Sequence, residues 1–465
     1  MLVVACFTFW VTADLVQLSM ALDGVIYSAI AQFFAQGQGS FWVLPHFEAG
    51  VGGFYDHPPL GLWLLSFWAQ GFGSGFWVER SFLLLLMAVF GAGLGVLWCS
   101  RESAQSGPHE ITLSGSGHHL IWWVMLLLLC MPVVRFTLVN NPLEVLLAVF
   151  TLWSVVFAWF GMRRPWLNLM AGVLCGAAVL TKGPVGLFPL VAPCLFAWFV
   201  LADNSKAVKH SALAAVPVLL LAAGIYVYPP ARLATLAYLE TQLIGTFTGL
   251  RVPENGRLYL LGQFVSNIAI AGVVLLLLSR GRFDIRLPRV SRAYLLIGLC
   301  AFLPLLLSPR QYKHYLLSCL PYFVLSLSLI ARPTWPAVKE RLLVAAIVVI
   351  GLLIAVRAGW YFGDQGKDAV ELSDVAALAE IKAEQAPEVL MAFCDTALRR
   401  RAYLARYTQE QAYYVPLQEL GRLDAGAIYV CADDPGKGFV RLRGLNEGLQ
   451  VWRRTSTGAP QEVSG

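Results

Sequence analysis

Residues 21–63 read ALDGVIYSAIAQFFAQGQGSFWVLPHFEAGVGGFYDHPPLGLW, and the fold follows from what this stretch contains and where it lies. It separates two apolar runs, residues 1–19 and 80–99, each long enough to cross a bilayer as a helix. A simple crossover between membrane helices needs only a few polar residues. This one runs for about forty, carries Asp23, His46, Glu48, Asp56 and His57, and contains no Lys or Arg. Long loops with structure of their own tend to be functional, and acids at a membrane face are costly without partners or a task. The loop from 20 to 79 is therefore the expected wall of an active site.

Within it, residues 24–36 place Ile26, Ala29, Ile30, Phe33 and Phe34 at helical spacing, with Ser28, Gln32 and Gln36 opposite. That pattern predicts an amphipathic helix lying along the membrane surface. Asp23 opens it, either as an N-cap that accepts the first free N–H groups or as a catalytic carboxylate. In Phe54-Tyr55-Asp56-His57-Pro58-Pro59-Leu60, the prolines hold the preceding residues extended and start a helix after them. Asp56 and His57 then sit at a rigid corner, a reading that competes with a plain capped turn. Residues 61–70 predict a second interfacial helix, and Glu79-Arg80 an ion pair at the mouth of the next span.

Composition agrees with a membrane-embedded chain. The 465 residues are 58% hydrophobic and 13% charged, with a mean hydropathy of +0.66, whereas a soluble domain carries about a quarter charged residues. Eleven spans are expected, at 1–19, 80–99, 119–138, 142–160, 166–181, 184–201, 211–229, 259–279, 292–308, 312–330 and 341–360. Met1 opens directly on an apolar run, which reads as a span, short or begun upstream, and not as a cleaved signal. With that end inside, most loop Lys and Arg fall on the cytoplasmic side of a net charge of +6. The chain divides into a membrane domain, 1–360, and an extracytoplasmic C-terminal domain, 361–465.

The outer loops hold the remaining candidates. Arg135 lies one turn inside an apolar span and needs an anion, while Asn141, Pro142 and Glu144 form a capping box that explains itself structurally. Lys182, in Thr181-Lys182-Gly183-Pro184, is the only charge at its turn and would otherwise snorkel to the headgroups. Arg310, Lys313 and His314 crowd the start of another apolar helix, where an anion is already favoured. His109, His118 and His119 face the wrong side and are poorly spaced for a metal. Asp14 is the one deep acid within the spans. Past residue 361 the composition becomes soluble. An acidic helix over 364–385, a basic helix over 398–406 and strands at 389–394, 427–431 and 449–452 suggest a small α/β unit. Seven cysteines read as apolar filler; Cys394 and Cys431 could pair in an oxidising compartment.

In order, Asp23-Gly-x-x-Tyr27-x-x-Ile30-Ala31, Tyr55-Asp56-His57-Pro58-Pro59-Leu60, Thr181-Lys182-Gly183-Pro184 and Lys313-His314-Tyr315 before Leu320-Pro321 resemble the bacterial polyprenyl-phosphate-dependent glycosyltransferases of the GT-C superfamily. That group includes the protein O-mannosyltransferases and the lipid A aminoarabinose transferases, families 39 and 83. The resemblance covers residues 1–330 and implies an all-α polytopic membrane fold of the GT-C type with a small external α/β domain. It further implies inverting transfer from a polyprenyl-phosphate sugar to a cell-envelope acceptor (lipid, glycan or protein) at the outer face of the bacterial cytoplasmic membrane. Asp23 matches the first-loop carboxylate that acts as general base or orients the acceptor. Asp56 and His57 match an acid-and-base pair near the donor phosphate or a divalent metal, and no other cofactor is implied. The chain departs from the pattern twice: Asn140-Asn141 stands where many relatives carry a second acid, and His57 where many carry Lys.

The chemistry suits the residues apart from the resemblance. The departing phosphomonoester gains charge, so cations placed beforehand at His57, Arg135, Lys182, Arg310, Lys313 and His314 favour the transition state over the ground state. An acceptor hydroxyl must lose a proton, to Asp23 or Asp56. No nucleotide-binding glycine loop is needed, and no nucleic-acid partner is expected. The alternatives are a transporter or flippase for a lipid-linked or anionic solute, and a polysaccharide polymerase or ligase. A transporter should carry its polar groups at the bilayer midplane on broken helices, which this pattern lacks.

Overall fold

The structure, a computed structural model, describes residues 2–100, 121–140, 142–245, 248, 255–279, 287–330, 340–385, 390–394 and 398–455. The helices begin with α1 (Leu2–Val16), α2 (Leu22–Ala35), α3 (Leu60–Phe72), α4 (Trp77–Ser100), α5 (Ile121–Leu129), α6 (Pro132–Asn140), α7 (Pro142–Gly161) and α8 (Leu167–Lys182). A 3₁₀ segment, Gly183–Val191, leads into α9 (Ala192–Phe196), followed by α10 (Asn204–Val227), α11 (Pro229–Tyr238), α12 (Tyr259–Ser279) and α13 (Arg289–Leu307). A 3₁₀ turn at Lys313–Ser318 precedes α14 (Leu320–Ile330), α15 (Glu340–Tyr361), α16 (Ala369–Gln385) and α17 (Leu398–Thr408).

Seven helical stretches among the described residues are long and apolar enough to cross a membrane, and shorter apolar helices stand at Ala5–Val16 and Leu320–Ile330. The fold is that of an all-α polytopic membrane protein with a small C-terminal sheet. At its centre α7 is buried on nearly every side and packs against α4 and α8. The outward faces of α10 and α15 expose Leu219, Leu220, Val227, Leu352 and Val356, as helices solvated by lipid should.

Two expected spans take a different form. Residues 119–138 are broken between α5 and α6 at Pro132, whose missing N–H cannot continue a helix but suits its first position. After α8 the chain reverses at Gly183, so that Gly186 returns against Ala178 and its carbonyl accepts from Cys175 Sγ at 3.3 Å. Gly183 has φ +77°, and a Cβ there would meet the Tyr238 hydroxyl at 2.1 Å. Glycine is required on both counts. The capping residue expected at Asn141 and the histidines 109, 118 and 119 lie outside the described residues.

The C-terminal unit is a five-stranded sheet in the order β2-β1-β3-β5-β4, from β1 (Met391–Phe393), β2 (Tyr413–Tyr414), β3 (Ile428–Cys431), β4 (Phe439–Gly444) and β5 (Gln450–Arg454). β2, β1 and β3 run parallel, and β5 and β4 complete it antiparallel. The expected strands at 389–394, 427–431 and 449–452 correspond to β1, β3 and β5; β2 and β4 were not anticipated. A disulfide joins Cys394 to Cys431 at the ends of the neighbouring strands β1 and β3.

The surface helix expected over 24–36 is α2, but its polar side is not open to water. Ser28 and Gln32 are buried; Ser28 Oγ donates to Gly24 O at 2.8 Å and Gln32 Nε2 to Gly73 O at 3.3 Å. α2 is packed between α3 and α17. Glu79 and Arg80 do not pair with each other either. Glu79 holds Arg406 of α17 at 2.7 Å, and Arg80 donates to the carbonyls of Val139, Gln17 and Ser19 at 2.7, 3.1 and 2.6 Å.

Candidate active site

Asp23 is the second residue of α2, and the N-cap position belongs to Ala21, which makes no side-chain capping bond. The capping reading is thereby corrected: the carboxylate points away from the first-turn N–H groups and toward His314, 4.0 Å from its Nε2. It keeps 46% of its side chain exposed, so it is the reachable member of the group around it. The apolar helices behind it push the Asp23 carboxyl above its ordinary value, against the pull of His314.

Behind Asp23 lies a buried charged cluster. Lys182, the last residue of α8, pairs with Glu144 in the first turn of α7, and the two side chains are only 8% and 3% exposed. His314 Nε2 meets the same Glu144 oxygen at 3.2 Å. The ammonium of Lys182 also stands 4.7 Å from the centre of the Tyr315 ring. Glu144 Oε2 is buried with no hydrogen-bond partner among the described residues, an exception to the usual pairing of buried polar atoms. Lys182 is therefore neither a snorkelling side chain nor a lone cation, and Glu144 is more than the third residue of a capping box.

Two further cations flank this cluster. Lys313 Nζ lies 4.0 Å over the Phe136 ring, and Arg310 donates from Nη2 to the Tyr312 hydroxyl at 2.7 Å. His57 joins from farther along the first loop: its Nε2 is 2.7 Å from the hydroxyl of Tyr27, one turn beyond Asp23 on α2. An apolar groove of about 120 Å³ begins here, lined by Trp42, Leu44, Phe54, His57, Pro184 and Tyr238. It passes the turn that carries Lys182.

Arg135 is placed elsewhere. Its anion is Asp14, at 2.5 Å, and its guanidinium lies 4.6 Å over Trp10. Both line a separate pocket of about 270 Å³ with Phe136, Asn140 and Lys367. The deep acid thus supplies the anion that the unexplained arginine needs, so the donor-phosphate role expected of Arg135 loses its physical motive.

The possible metal at Asp56 and His57 has no ligand set around it. His57 commits Nε2 to Tyr27, and among the described residues no three His, Cys, Asp or Glu side chains converge as metal ligands would. Sequence reasoning thus placed Asp23, Lys182 and His314 in one site and passed over Glu144. The signal for it was an acid one turn inside an apolar span, the same oddity that drew attention to Arg135.

No family model matches the chain, and no curated protein matches it by sequence. Solved structures do. ArnT from Cupriavidus metallidurans bound to undecaprenyl phosphate superposes with a TM-score of 0.66 at 16% identity, covering 98% of each chain. Its apo form gives 0.64 at 16% identity, over 97% of this chain and 96% of that one. The oligosaccharyltransferase of Archaeoglobus fulgidus in its apo form gives 0.51 at 14% identity, over 90% of this chain and 64% of that one. Over nearly its whole length the chain therefore shares the fold of these proteins.

Proposed function

We propose that this protein transfers a sugar from a polyprenyl-phosphate donor to a cell-envelope acceptor, with inversion at the anomeric carbon, at the outer face of the cytoplasmic membrane. The observation that carries the reading is the half-exposed Asp23 carboxylate beside the buried Lys182–Glu144–His314 cluster, where an apolar groove arrives. An isoprenoid chain suits such a groove, and its phosphate would lie toward the turn at Gly183 that follows Lys182. The structurally similar ArnT binds undecaprenyl phosphate, which supports this class of donor.

In this reading the acceptor oxygen attacks the anomeric carbon and Asp23 takes the proton of its hydroxyl. The bond from that carbon to the phosphate oxygen breaks with its electron pair, and polyprenyl phosphate departs with one more negative charge. Lys182, Arg310 and Lys313 would stabilise that charge as it develops, while His314, which burial and the neighbouring Lys182 hold neutral, would act as a hydrogen-bonding group. Glu144 holds Lys182 and His314 in place and offers Oε2 to a donor hydroxyl. Asp56 is the reserve candidate for the base, and His57 orients Tyr27. No step is routed through a metal.

Purified protein in lipid nanodiscs, given polyprenyl-phosphate sugars and envelope extract, should release polyprenyl phosphate together with a glycosylated acceptor. Cells lacking the protein should accumulate one lipid-linked sugar. A chain that instead moves intact lipid-linked sugar across vesicles, with no bond broken, is a flippase and overturns the reading.

A further inference from the structure

Between α1 and α2 the backbone runs through Gln17–Ala21 without regular structure, three residues before Asp23. Its polar groups ought to go to water, yet Ser19 and Met20 are buried, Met20 at 1% exposure. Almost every group is instead held by a residue from elsewhere. Arg80 takes the Gln17 and Ser19 carbonyls. Leu18 N donates to Asp364 O at 2.9 Å, and Leu18 O accepts from the Tyr407 hydroxyl at 2.9 Å. Ala21 N donates to Asn140 Oδ1 at 2.9 Å.

At Met20 the arrangement closes into a ring. Met20 N donates to the Tyr403 hydroxyl at 3.0 Å. That hydroxyl gives its one proton to Asp368 Oδ2 at 2.5 Å. Arg399 Nη1 donates to Asp368 Oδ1 at 2.9 Å and to Met20 O at 3.4 Å. Both main-chain groups of one residue are thus tied into a single network ending on a carboxylate. Donation to a carboxylate makes the Tyr403 oxygen a better acceptor, so each bond strengthens the next. Tyr403 and Asp368 are 0% and 5% exposed, and the Tyr403 and Tyr407 rings stack 5.9 Å apart. On the far side, Gly24 sits against Asn140 O so closely that a Cβ would lie 2.2 Å from it. The first turn of α2 cannot shift without breaking one of these contacts.

We propose that Tyr403, with Arg399 and Asp368, is a positioning residue for Asp23: the C-terminal unit holds the Met20 backbone and thereby sets where the carboxylate stands. The catalytic consequence rests on the function proposed above; the mechanical one does not. Displacements of about 1 Å at a reacting group can cost 10²-fold in rate even when their cause is remote. A network that fixes the backbone three residues upstream acts on that scale.

The test is Tyr403→Phe, which removes one oxygen and leaves the ring in its stack. Hydrogen exchange of the full chain in nanodiscs should quicken in the peptide covering residues 17–24 and stay unchanged in the sheet. In the transfer assay kcat should fall about tenfold with donor KM within twofold, and the acid limb of kcat should move, because the surroundings of Asp23 change. Exchange in residues 17–24 equal to wild type would show that the ring holds nothing. Faster exchange with an unaltered kcat and pH profile would make Tyr403 merely structural and equally overturn the proposal. If Tyr403→Phe does not yield folded protein, Tyr407→Phe and Arg399→Gln, which each loosen the same segment, carry the same measurements. A wild-type chain that transfers no sugar refutes the proposed function, and the exchange measurement then decides the clamp separately.

Discussion

Asp23 carries the most specific expectations at the level of single side chains. Because it does not cap α2, Asp23→Asn should leave the helix in place and cost at most the favourable interaction of an acid with a helix N-terminus, about 0.3–1 kcal/mol. Turnover with a hydroxyl acceptor should fall roughly 10²–10⁴-fold, since the amide cannot take a proton. The pH profile gives an independent reading. Burial raises the Asp23 pKa, so the basic form is complete above that raised value and is lost as pH falls through it. The acid limb of kcat should therefore lie above the ordinary carboxylate range, near 4, and should disappear in Asp23→Asn. Lys182→Met should weaken donor use about ten- to a hundredfold, the worth of one charge-assisted hydrogen bond at roughly 1.5–3 kcal/mol. It also strands Glu144, so the double variant with Glu144→Gln, measured for donor KM and for melting, separates lost recognition from lost folding. Asp23 and Lys182 could be singled out in the sequence although each had a structural alternative, an N-cap for the one and snorkelling for the other. Glu144 was hidden because a capping box explained it fully, and nothing in one dimension says that residues 38 apart meet.

Among the elements, the turn after α8 brings Lys182 to the site, and its geometry depends on Gly183. Alanine there would hold a left-handed backbone and press against Tyr238, which should destabilise the turn by more than about 1 kcal/mol. Gly183→Ala should lower the midpoint of thermal inactivation and reduce donor use alongside it; normal values for both would mean that the turn adapts. Helix existence was readable wherever apolar runs were long, because their composition leaves no other partner than lipid. The break at Pro132 shows the limit: hydropathy sees 119–138 as one run, while the backbone divides at the missing N–H. The buried polar face of α2 shows another. Ser28 and Gln32 face protein because α17 arrives from far along the chain, and periodicity describes only the helix that bears it. In the sheet, β1, β3 and β5 carry buried apolar residues and could be found. β2 has two residues, and β4 exposes most of its side chains at the edge.

For the molecule entire, the C-terminal unit is tied to the first loop at several points. Arg401 Nε holds Glu48 at 3.0 Å, Arg406 holds Glu79, and Ala49 N donates to Ala412 O at 3.0 Å. Cys394 and Cys431 stabilise the sheet on which α17 rests, and a disulfide of this kind contributes roughly 2–4 kcal/mol. Cys394→Ser should therefore speed proteolysis after residue 361, leave the membrane helices protected, and slow transfer; unchanged proteolysis would remove the role assigned to the bond. Labelling of cysteines introduced at 50 and 420 should occur from outside the cell, and at 163 and 205 only after permeabilisation. The reverse pattern would place the site on the wrong side for the proposed reaction.

The pairing of Glu79 with Arg406 spans 327 residues, which makes it a matter of time as well as space. A chain synthesised at about 5–20 residues per second displays the acidic loop roughly 15–65 s before its arginines exist. Through that interval Glu48 and Glu79 stand unneutralised at the membrane face, and the α2 entry segment has no hold on Met20. The bundle inserts early, but the unit that holds its first loop comes late. A ribosome stalled after α15 would leave a correctly threaded membrane protein with nothing to close its first loop, a product that surveillance proteases should recognise by that loop alone.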